Sequence, residues 1–382
     1  MDFELTNRQK QIRLAAREFA EGELVPIGKE CEAKGEFPRD IIKKAAQLGF
    51  VGVDIKKEYG GLGLGLLEHA IVSEEFWRAE PGLGQIFAQT VFGSDVLLLY
   101  GSEEQRKRCL PPLVKGDWVM GFSITEPEAG SDAGSVTTTA IRVGDEYVIN
   151  GNKVMISNGT EAKFLLVFCA TDPEGTAKSK RHSILLVETD RPGYKADKIH
   201  GKMGLHASDT ANIFFNNVRV PKENLVGGEG NGFFQLMNFL DRSRVVIAAH
   251  AVGLAQGAME QAVNYVKKRK QFGKTIASFQ TTQFKVAEMA TLIETARNLT
   301  YKACCSIDRG VPDSQLSAMA KWWACHIAVR VVDEALQLHG GYGYLDDYPI
   351  ERYYRAAKLL EIYEGTKEIQ KLVIGRRILG MT

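Results

Sequence analysis

The chain lacks a charge surplus, a paired cysteine pattern and a long apolar run, and each absence removes a class of function. Lys plus Arg total 48 against 47 for Asp plus Glu, a net charge of +1. That balance offers no general attraction to nucleic acid, whose binders carry a basic surplus or stripe. The cluster Arg106-Lys107-Arg108 reads first as a solvated helix face, while Lys267-Lys268-Arg269-Lys270 closes a long helical pattern. Six cysteines (Cys31, Cys109, Cys169, Cys304, Cys305, Cys325) are scattered without CxxC spacing or histidine neighbours at zinc-ligand spacing. Neither a disulfide framework nor a metal site is expected, and reduced thiols of a cytoplasmic protein fit better. No stretch approaches the roughly 18 uninterrupted apolar residues of a membrane span. The start MDFELTNRQK is acidic and has no apolar core, unlike a signal or transit peptide. The expected location is the cytoplasm, or a mitochondrial matrix if a transit peptide has been removed.

What remains is a globular composition, 45% hydrophobic and 25% charged. At 382 residues it is too long for one ordinary core. From Leu5 to about Leu113 apolar residues recur at three- and four-residue spacing, as in Leu66, Ala70 and Ile71, and Thr6 with Asn7 can cap the first helix. Gly60, Gly61, Gly63 and Gly65 follow no strand, so they are a turn-rich break rather than a dinucleotide loop. Between Val119 and Val226 the runs are β-branched or aromatic, as in Phe164-Leu-Leu-Val-Phe168 and Ser183-Ile-Leu-Leu-Val187, and turn signals such as Gly144 and Asn158-Gly159 separate them. Six to eight short strands are expected. From about Gly232 onward helical patterns return, notably at Val245–Lys268, Gln280–Asp308 and Asp313–His339. The reading is an α+β chain with three domains: helical at 1–118, a small β-barrel or sandwich at 119–228, and a four-helix bundle at 229–382. This is not the alternating βαβ order of a nicotinamide enzyme.

Six segments carry candidate chemistry, each with a plain alternative. Gly121–Asp132 ends a strand in hydroxyls, Pro127 and a Gly-Ser pair, a nest for phosphate or an electron-rich ring, or an ordinary turn. Asn150–Gly159 reads as a turn, a short strand and another turn. Leu240-Asp-Arg-Ser-Arg244 opens a long helix with Asp241 and Arg244 one turn apart: an anion site at a helix start, or a charged face. Arg269–Gly273 closes that helix with basic residues, as the helix dipole favours. In Gln337–Tyr344 two glycines supply a C-cap, while a third between tyrosines suits close approach of a ligand. In Glu361–Glu368, Gly365 breaks one helix and Thr366 caps the next, Lys367 to about Leu379. Glu364 sits at that joint, able to face a cleft.

Taken together and in order, these segments resemble the acyl-CoA dehydrogenase family over essentially the whole chain. The family's A/S-x-T-E-P-x-A-G-S-D, N-G-x-K-x-x-I-T/S-N, R-x-x-F-G, Q-x-x-G-G and I-Y-E-G-T motifs match Ser123–Asp132, Asn150–Asn158, Arg269–Gly273, Gln337–Gly341 and Ile362–Thr366. The resemblance implies FAD between the β domain and the C-terminal helices. Phe122, Ile124, Thr125 and Ser131 match residues lining the flavin and pyrophosphate, and Met155 and Ser157 the second lining segment. Arg269, Gln271, Phe272 and Gln280 match positions reaching the FAD of a neighbouring subunit, which implies a homodimer or homotetramer. Gln337, Gly340 and Gly341 match the adenine and pyrophosphate segment, and Thr366 and Glu368 further FAD contacts. Ser131, Leu240, Asp241, Arg244 and Gly365 match residues holding the CoA arm of an acyl-CoA substrate, and Glu364 the base that takes the α-proton. Electron-transferring flavoprotein is the implied acceptor. Two positions depart from the family: Met155 replaces a common aromatic residue near the flavin, and Ala356 stands where an aspartate commonly follows the arginine.

The same resemblance keeps enoyl-CoA reductases open, because they retain the glutamate. Acyl-CoA oxidases are longer, and nitroalkane oxidases carry aspartate at the base position. A non-enzymatic helical interaction module would need none of the flavin motifs. The segment Gly82–Leu99 is expected to line the acyl pocket as a helix. It has no Arg or Lys from Pro81 through Tyr100, which favours an uncharged acyl group, short, branched or cyclic.

Overall fold

The computed structural model describes residues 4–174 and 180–381. The first helix, α1 (Asn7–Phe19), starts in a capping box in which Thr6 accepts from the Gln9 amide. It runs through a π-helical turn, Ala20–Leu24, into α2 (Val25–Lys34). Then follow α3 (Arg39–Gln47), α4 (Leu66–Ala79), α5 (Pro81–Thr90), α6 (Ser94–Tyr100) and α7 (Glu103–Val114). The expected single helix over Gly82–Leu99 is two helices. Gly93, at φ +103°, turns the chain between α5 and α6, a conformation that only glycine adopts cheaply. The stretch Pro81–Tyr100 has the length and hydropathy of a membrane span, but 72% of its apolar window is buried inside the protein, so it is core.

Seven strands form the sheet: β1 (Met120–Ser123), β2 (Thr139–Val143), β3 (Glu146–Ser157), β4 (Phe164–Ala170), β5 (His182–Glu188), β6 (Tyr194–Lys198) and β7 (Thr210–Pro221). The order is β1-β4-β2-β3-β7-β6, with β5 antiparallel to β4 and β1 parallel to it. Strand β4 is buried throughout because it separates two cores. Phe164, Leu166 and Phe168 pack with the N-terminal helices, while Leu165, Val167 and Cys169 pack into the sheet's own interior. The two-residue side-chain period does this sorting, and it explains why β4 reads as a continuous apolar run. In the segment Asn150–Gly159 the first expected turn is absent: Asn150–Ser157 is the second half of β3, which stays paired with β7 through one extra residue in β7 opposite Asn150 and one in β3 before Ile156. The second expected turn is present at Asn158-Gly159. Gly151, at φ +145°, lies so close to Thr138 that a Cβ would fall 2.5 Å from its Oγ1.

The C-terminal part is built on α8 (Gly232–Lys268), α9 (Gln280–Asp308) and α10 (Ser314–His339), with a two-residue hairpin β8–β9 (Lys270–Gln271, Lys274–Thr275) between α8 and α9. Helices α11 (Ile350–Leu360) and α12 (Lys367–Leu379) close it. Helix α4 belongs by position to the N-terminal part, yet its Leu66, Ala70 and Ile71 sit in the bundle core. Two interactions fix it there. Asp308, at the end of α9, accepts from the Leu66 and Leu67 amides at 2.7 and 3.1 Å and so caps α4 from across the molecule. Gly253 and Gly257 of α8 let the α4 backbone approach until an added Cβ would lie 2.1 Å from Glu74 O or 2.0 Å from Arg78 O. Gly257→Ala is therefore expected to push α4 off α8 at a cost of about 1–3 kcal/mol, read as a lower thermal midpoint. An unchanged midpoint would mean that the helices separate freely.

Candidate active site

The joint between α11 and α12 holds two successive left-handed residues, Glu364 (φ +56°) and Gly365 (φ +85°). For glycine this is inexpensive; for glutamate it costs of order 1–3 kcal/mol and persists only where the surroundings enforce it. They do. Lys321 of α10, fully buried, donates to Gly365 O at 2.8 Å. Gln370 of α12 donates to Glu364 O at 3.1 Å and to Gly365 O at 2.9 Å. Thr366 caps α12 by accepting from the Ile369 amide, and the Lys367 amide donates back to Glu361 O at 3.0 Å.

This clamp fixes the Glu364 carboxyl, whose Oε2 accepts from Ser243 Oγ of α8 at 2.5 Å. Burial drives its pKa above the usual carboxylate range, against the Ser243 hydrogen bond and the charges of Arg244 and Lys321, which pull it down. Arg244 is itself buried and paired with Asp241 at 3.1 Å. A raised, oriented carboxyl between two cations can take up a proton and release it again.

Glu364 lines a cavity of about 650 Å³ together with Phe122, Ile124, Thr125, Ser131, Met155, Ser157, Gly365 and Thr366. Strand geometry brings the two flavin-motif segments together. The Val154 amide donates to Thr125 O at 2.9 Å, and Lys153 of β3 reaches back to Ile124 O at 2.7 Å and to Glu126 Oε1 at 2.9 Å. Glu126 also accepts from the Thr137 and Thr138 amides at 2.7 and 2.9 Å. With burial opposing and Lys153 leading the stabilising contacts, its pKa settles at about 2. Met155 stands in the left-handed region (φ +57°), 66% exposed, where the strand bulges at the cavity wall. Ala356 is buried in the bundle core.

The remaining candidates fall elsewhere in the chain. Arg269, Gln271, Gln337, Gly340 and Gly341 line a separate cleft of about 530 Å³. Phe272 is at the tip of the β8–β9 hairpin, 91% exposed and at φ +51°. Gln280 begins α9, and Glu368 is in the first turn of α12. Leu240, Asp241 and Arg244 do not open a helix: α8 begins at Gly232, which abuts the Ser183 backbone where a Cβ would lie 2.6 Å away. The segment Leu240–Arg244 therefore lies inside α8, and no helix-terminal amides are available there for an anion. Ser243, Lys321 and Gln370 escaped the sequence reading. Ser243 lay inside a segment already singled out; Lys321 and Gln370 have no local signal, because each acts on a joint distant in sequence or on its backbone.

Both clefts suit a flavin dinucleotide. The larger one combines apolar walls (Phe122, Ile124) with hydroxyls (Thr125, Ser131, Ser157), matching a heteroaromatic ring with a polar edge. At Gly340 and Gly341 no atom lies within 4 Å of where a Cβ would sit, so phosphate can reach the backbone. The comparisons with known proteins agree. The models of the acyl-CoA dehydrogenase N-terminal, middle and C-terminal domains match residues 6–117, 121–218 and 230–379. The chain is 44% identical over 381 residues to an acryloyl-CoA reductase (NADH) of Anaerotignum propionicum, covering 99% of this chain and 96% of that one. It superposes on butyryl-CoA dehydrogenase from Megasphaera elsdenii with a TM-score of 0.95 at 38% identity, covering 99% and 100% of the two chains. A chain in the structure of the electron-transferring flavoprotein of Acidaminococcus fermentans gives 0.96 at 42%, again over 99% and 100%. With the helical–β–helical order, the clamped glutamate and three matching domain models in place, the chain belongs to the acyl-CoA dehydrogenase family of FAD-dependent oxidoreductases.

Proposed function

We propose that the enzyme oxidises an acyl-CoA thioester to its trans-2-enoyl-CoA, with Glu364 taking the α-proton. The observation that carries this reading is the half-buried Glu364, held in a strained backbone conformation against the cavity shared by both flavin-motif strands. The bound FAD would accept the β-hydrogen as hydride, so one proton goes to Glu364 and two electrons leave with the hydride. The chain's own part is to orient and to move a proton. The Ser243 hydrogen bond occupies Oε2 and leaves Oε1 for the α-hydrogen. Arg244 and Lys321 keep the carboxylate accessible despite burial. Phe122, Ile124, Thr125, Ser131, Met155 and Ser157 would hold the flavin. Ser131, Leu240, Asp241, Arg244 and Gly365 would hold the CoA arm.

Arg269, Gln271, Phe272 and Gln280 would serve a neighbouring subunit's FAD, with Gln337, Gly340 and Gly341 at its adenine end and Thr366 and Glu368 nearby. The exposure of Phe272 at a hairpin tip supports this, and with it a homodimer or homotetramer. Electron-transferring flavoprotein is the proposed acceptor, supported by the A. fermentans likeness. The acyl group is proposed to be uncharged and short, branched or cyclic.

A second reading, reduction of an enoyl-CoA, is favoured by the 44% identity to an acryloyl-CoA reductase. Anaerobic titration of the yellow protein with saturated acyl-CoA thioesters tests both. Bleaching of the flavin band supports dehydrogenation. No bleaching by saturated thioesters, together with reoxidation of the reduced protein by an enoyl-CoA, supports the reductase. A protein that takes up no flavin overturns both. Ser243→Ala removes a contact that lowers the Glu364 pKa. The base works deprotonated, so the pH–rate profile for bleaching is expected to move to higher pH, and an unmoved profile would remove Ser243 from the site.

A further inference from the structure

The cavity that holds Glu364 has a second, polar wall that the α-proton chemistry does not use. Asp54, His69, Asp95 and His250 all line it. His69 Nδ1 is 3.0 Å from Asp54 Oδ1. Arg242, one residue before Ser243 on α8, lies between the two carboxylates, 3.2 Å from Asp95 Oδ1 and 3.6 Å from Asp54 Oδ2. The sequence places no cation between Pro81 and Tyr100, and the fold supplies this one from another helix. It is already neutralised on both sides, so it has no charge to spare for a free acyl carboxylate.

His250 makes no hydrogen bond through its ring. It is 1% exposed. Its ring is fixed by stacking on Trp77, centroids 4.9 Å apart and planes 12° from parallel. Burial pushes its pKa down to about 3, so the ring is neutral and carries one donor and one acceptor. Buried polar groups of this kind are normally hydrogen-bonded, and leaving one unmade destabilises the site. A purely hydrocarbon tail against this wall would leave both nitrogens unmet. A hydroxyl, itself donor and acceptor, could pair with either one of them, and a carbonyl with the one that carries the proton.

We infer that the acyl pocket is built for a thioester whose acyl part carries an uncharged hydrogen-bonding substituent, a hydroxyl or a carbonyl, read by His250 beside the Asp54–His69–Arg242–Asp95 network. This rests on the acyl-CoA reading above and narrows its substrate class. His250 is assigned as a specificity-determining residue.

The test compares kcat/KM for butyryl-CoA and pentanoyl-CoA with 4-hydroxybutyryl-CoA and 5-hydroxypentanoyl-CoA, using the flavin-loaded enzyme and an artificial electron acceptor. Wild type is expected to prefer one hydroxyacyl thioester by at least about tenfold over its alkyl counterpart, the discrimination of a single buried hydrogen-bonding site. His250→Phe is expected to shift that ratio at least about tenfold toward the alkyl thioester, while His250→Gln, which keeps a donor and an acceptor, retains the preference. The His250→Gln comparison stands alone if the phenylalanine variant loses flavin. A wild type that turns over alkyl thioesters as well as or better than hydroxyacyl ones overturns the inference and leaves the dehydrogenase reading intact. A ratio unmoved by His250→Phe in a flavin-loaded variant does the same. Failure of every thioester to reduce the flavin overturns both.

Discussion

Glu364→Gln is expected to lower the rate of flavin bleaching by an acyl-CoA thioester about 10²–10⁴-fold, the usual contribution of a positioned general base. The flavin should still bind, because none of the contacts that hold the joint uses the carboxylate: Lys321 and Gln370 grip backbone carbonyls. Glutamine keeps the acceptor for Ser243 and fits the same space. The variant carries a second, independent signature in its stability. Burial raises the folded-state pKa of Glu364 above its unfolded value. The group therefore favours the fold below its unfolded pKa, and that contribution is lost as pH rises through the folded pKa. A neutral glutamine avoids burying the charge, so the variant should melt higher than wild type at pH 8 and gain nothing near pH 4. Loss of activity with a raised midpoint at pH 8 is the pattern of a base kept at a cost to stability. Loss of activity with a lowered midpoint would mark the carboxylate as structural.

Lys153→Met is expected to destabilise the sheet by about 3–5 kcal/mol, the cost of stripping the partner from a buried charge. Lys153 is fully buried and Glu126 is 4% exposed. Without the lysine, the Glu126 carboxylate retains donors from Thr137 and Thr138 but no cation. The loss should also loosen Ile124 and Thr125, so flavin content should fall with the thermal midpoint. The double variant Lys153→Met with Glu126→Gln should melt above the single lysine variant, because no charge is then stranded. A double variant that melts lower than Lys153→Met would show that the pair is not coupled. The pH sense is opposite to that of Glu364. Glu126 is depressed to about 2, so its contribution is present at neutral pH and is lost as pH falls through that value.

Much of this was already fixed by local physics. Thr366, next to Gly365, reads as a cap after a break, and the joint carrying Glu364 forms there because a threonine hydroxyl can satisfy an amide of the next helix. The extents of α9 and α10 follow from apolar periodicity over nearly thirty residues. The strands Phe164–Ala170 and His182–Glu188 follow from β-branched and aromatic runs. Glu364, Thr125 and Ser157, singled out from their motifs, line one cavity in the fold.

What the sequence by itself could not determine depends on contacts between residues far apart in the chain. The close seat of Gly232 against Ser183, the cap of α4 by Asp308 and the bulges of the β3–β7 pair are each set by a distant segment. Glu364 acquires its electrostatic character from Ser243, Arg244 and Lys321, which three-dimensional packing delivers from two other helices. The polar wall likewise gathers Asp54, His69, Asp95, Arg242 and His250 from a loop and three helices. The sequence alone determined which segments are helix or strand and which glutamate stands at a joint between helices, because capping, periodicity and glycine act within a few residues. Only the tertiary structure decided that glutamate's proton affinity and the polarity of the pocket beside it, because burial and charge are set by whatever packs against a group, at any distance along the chain.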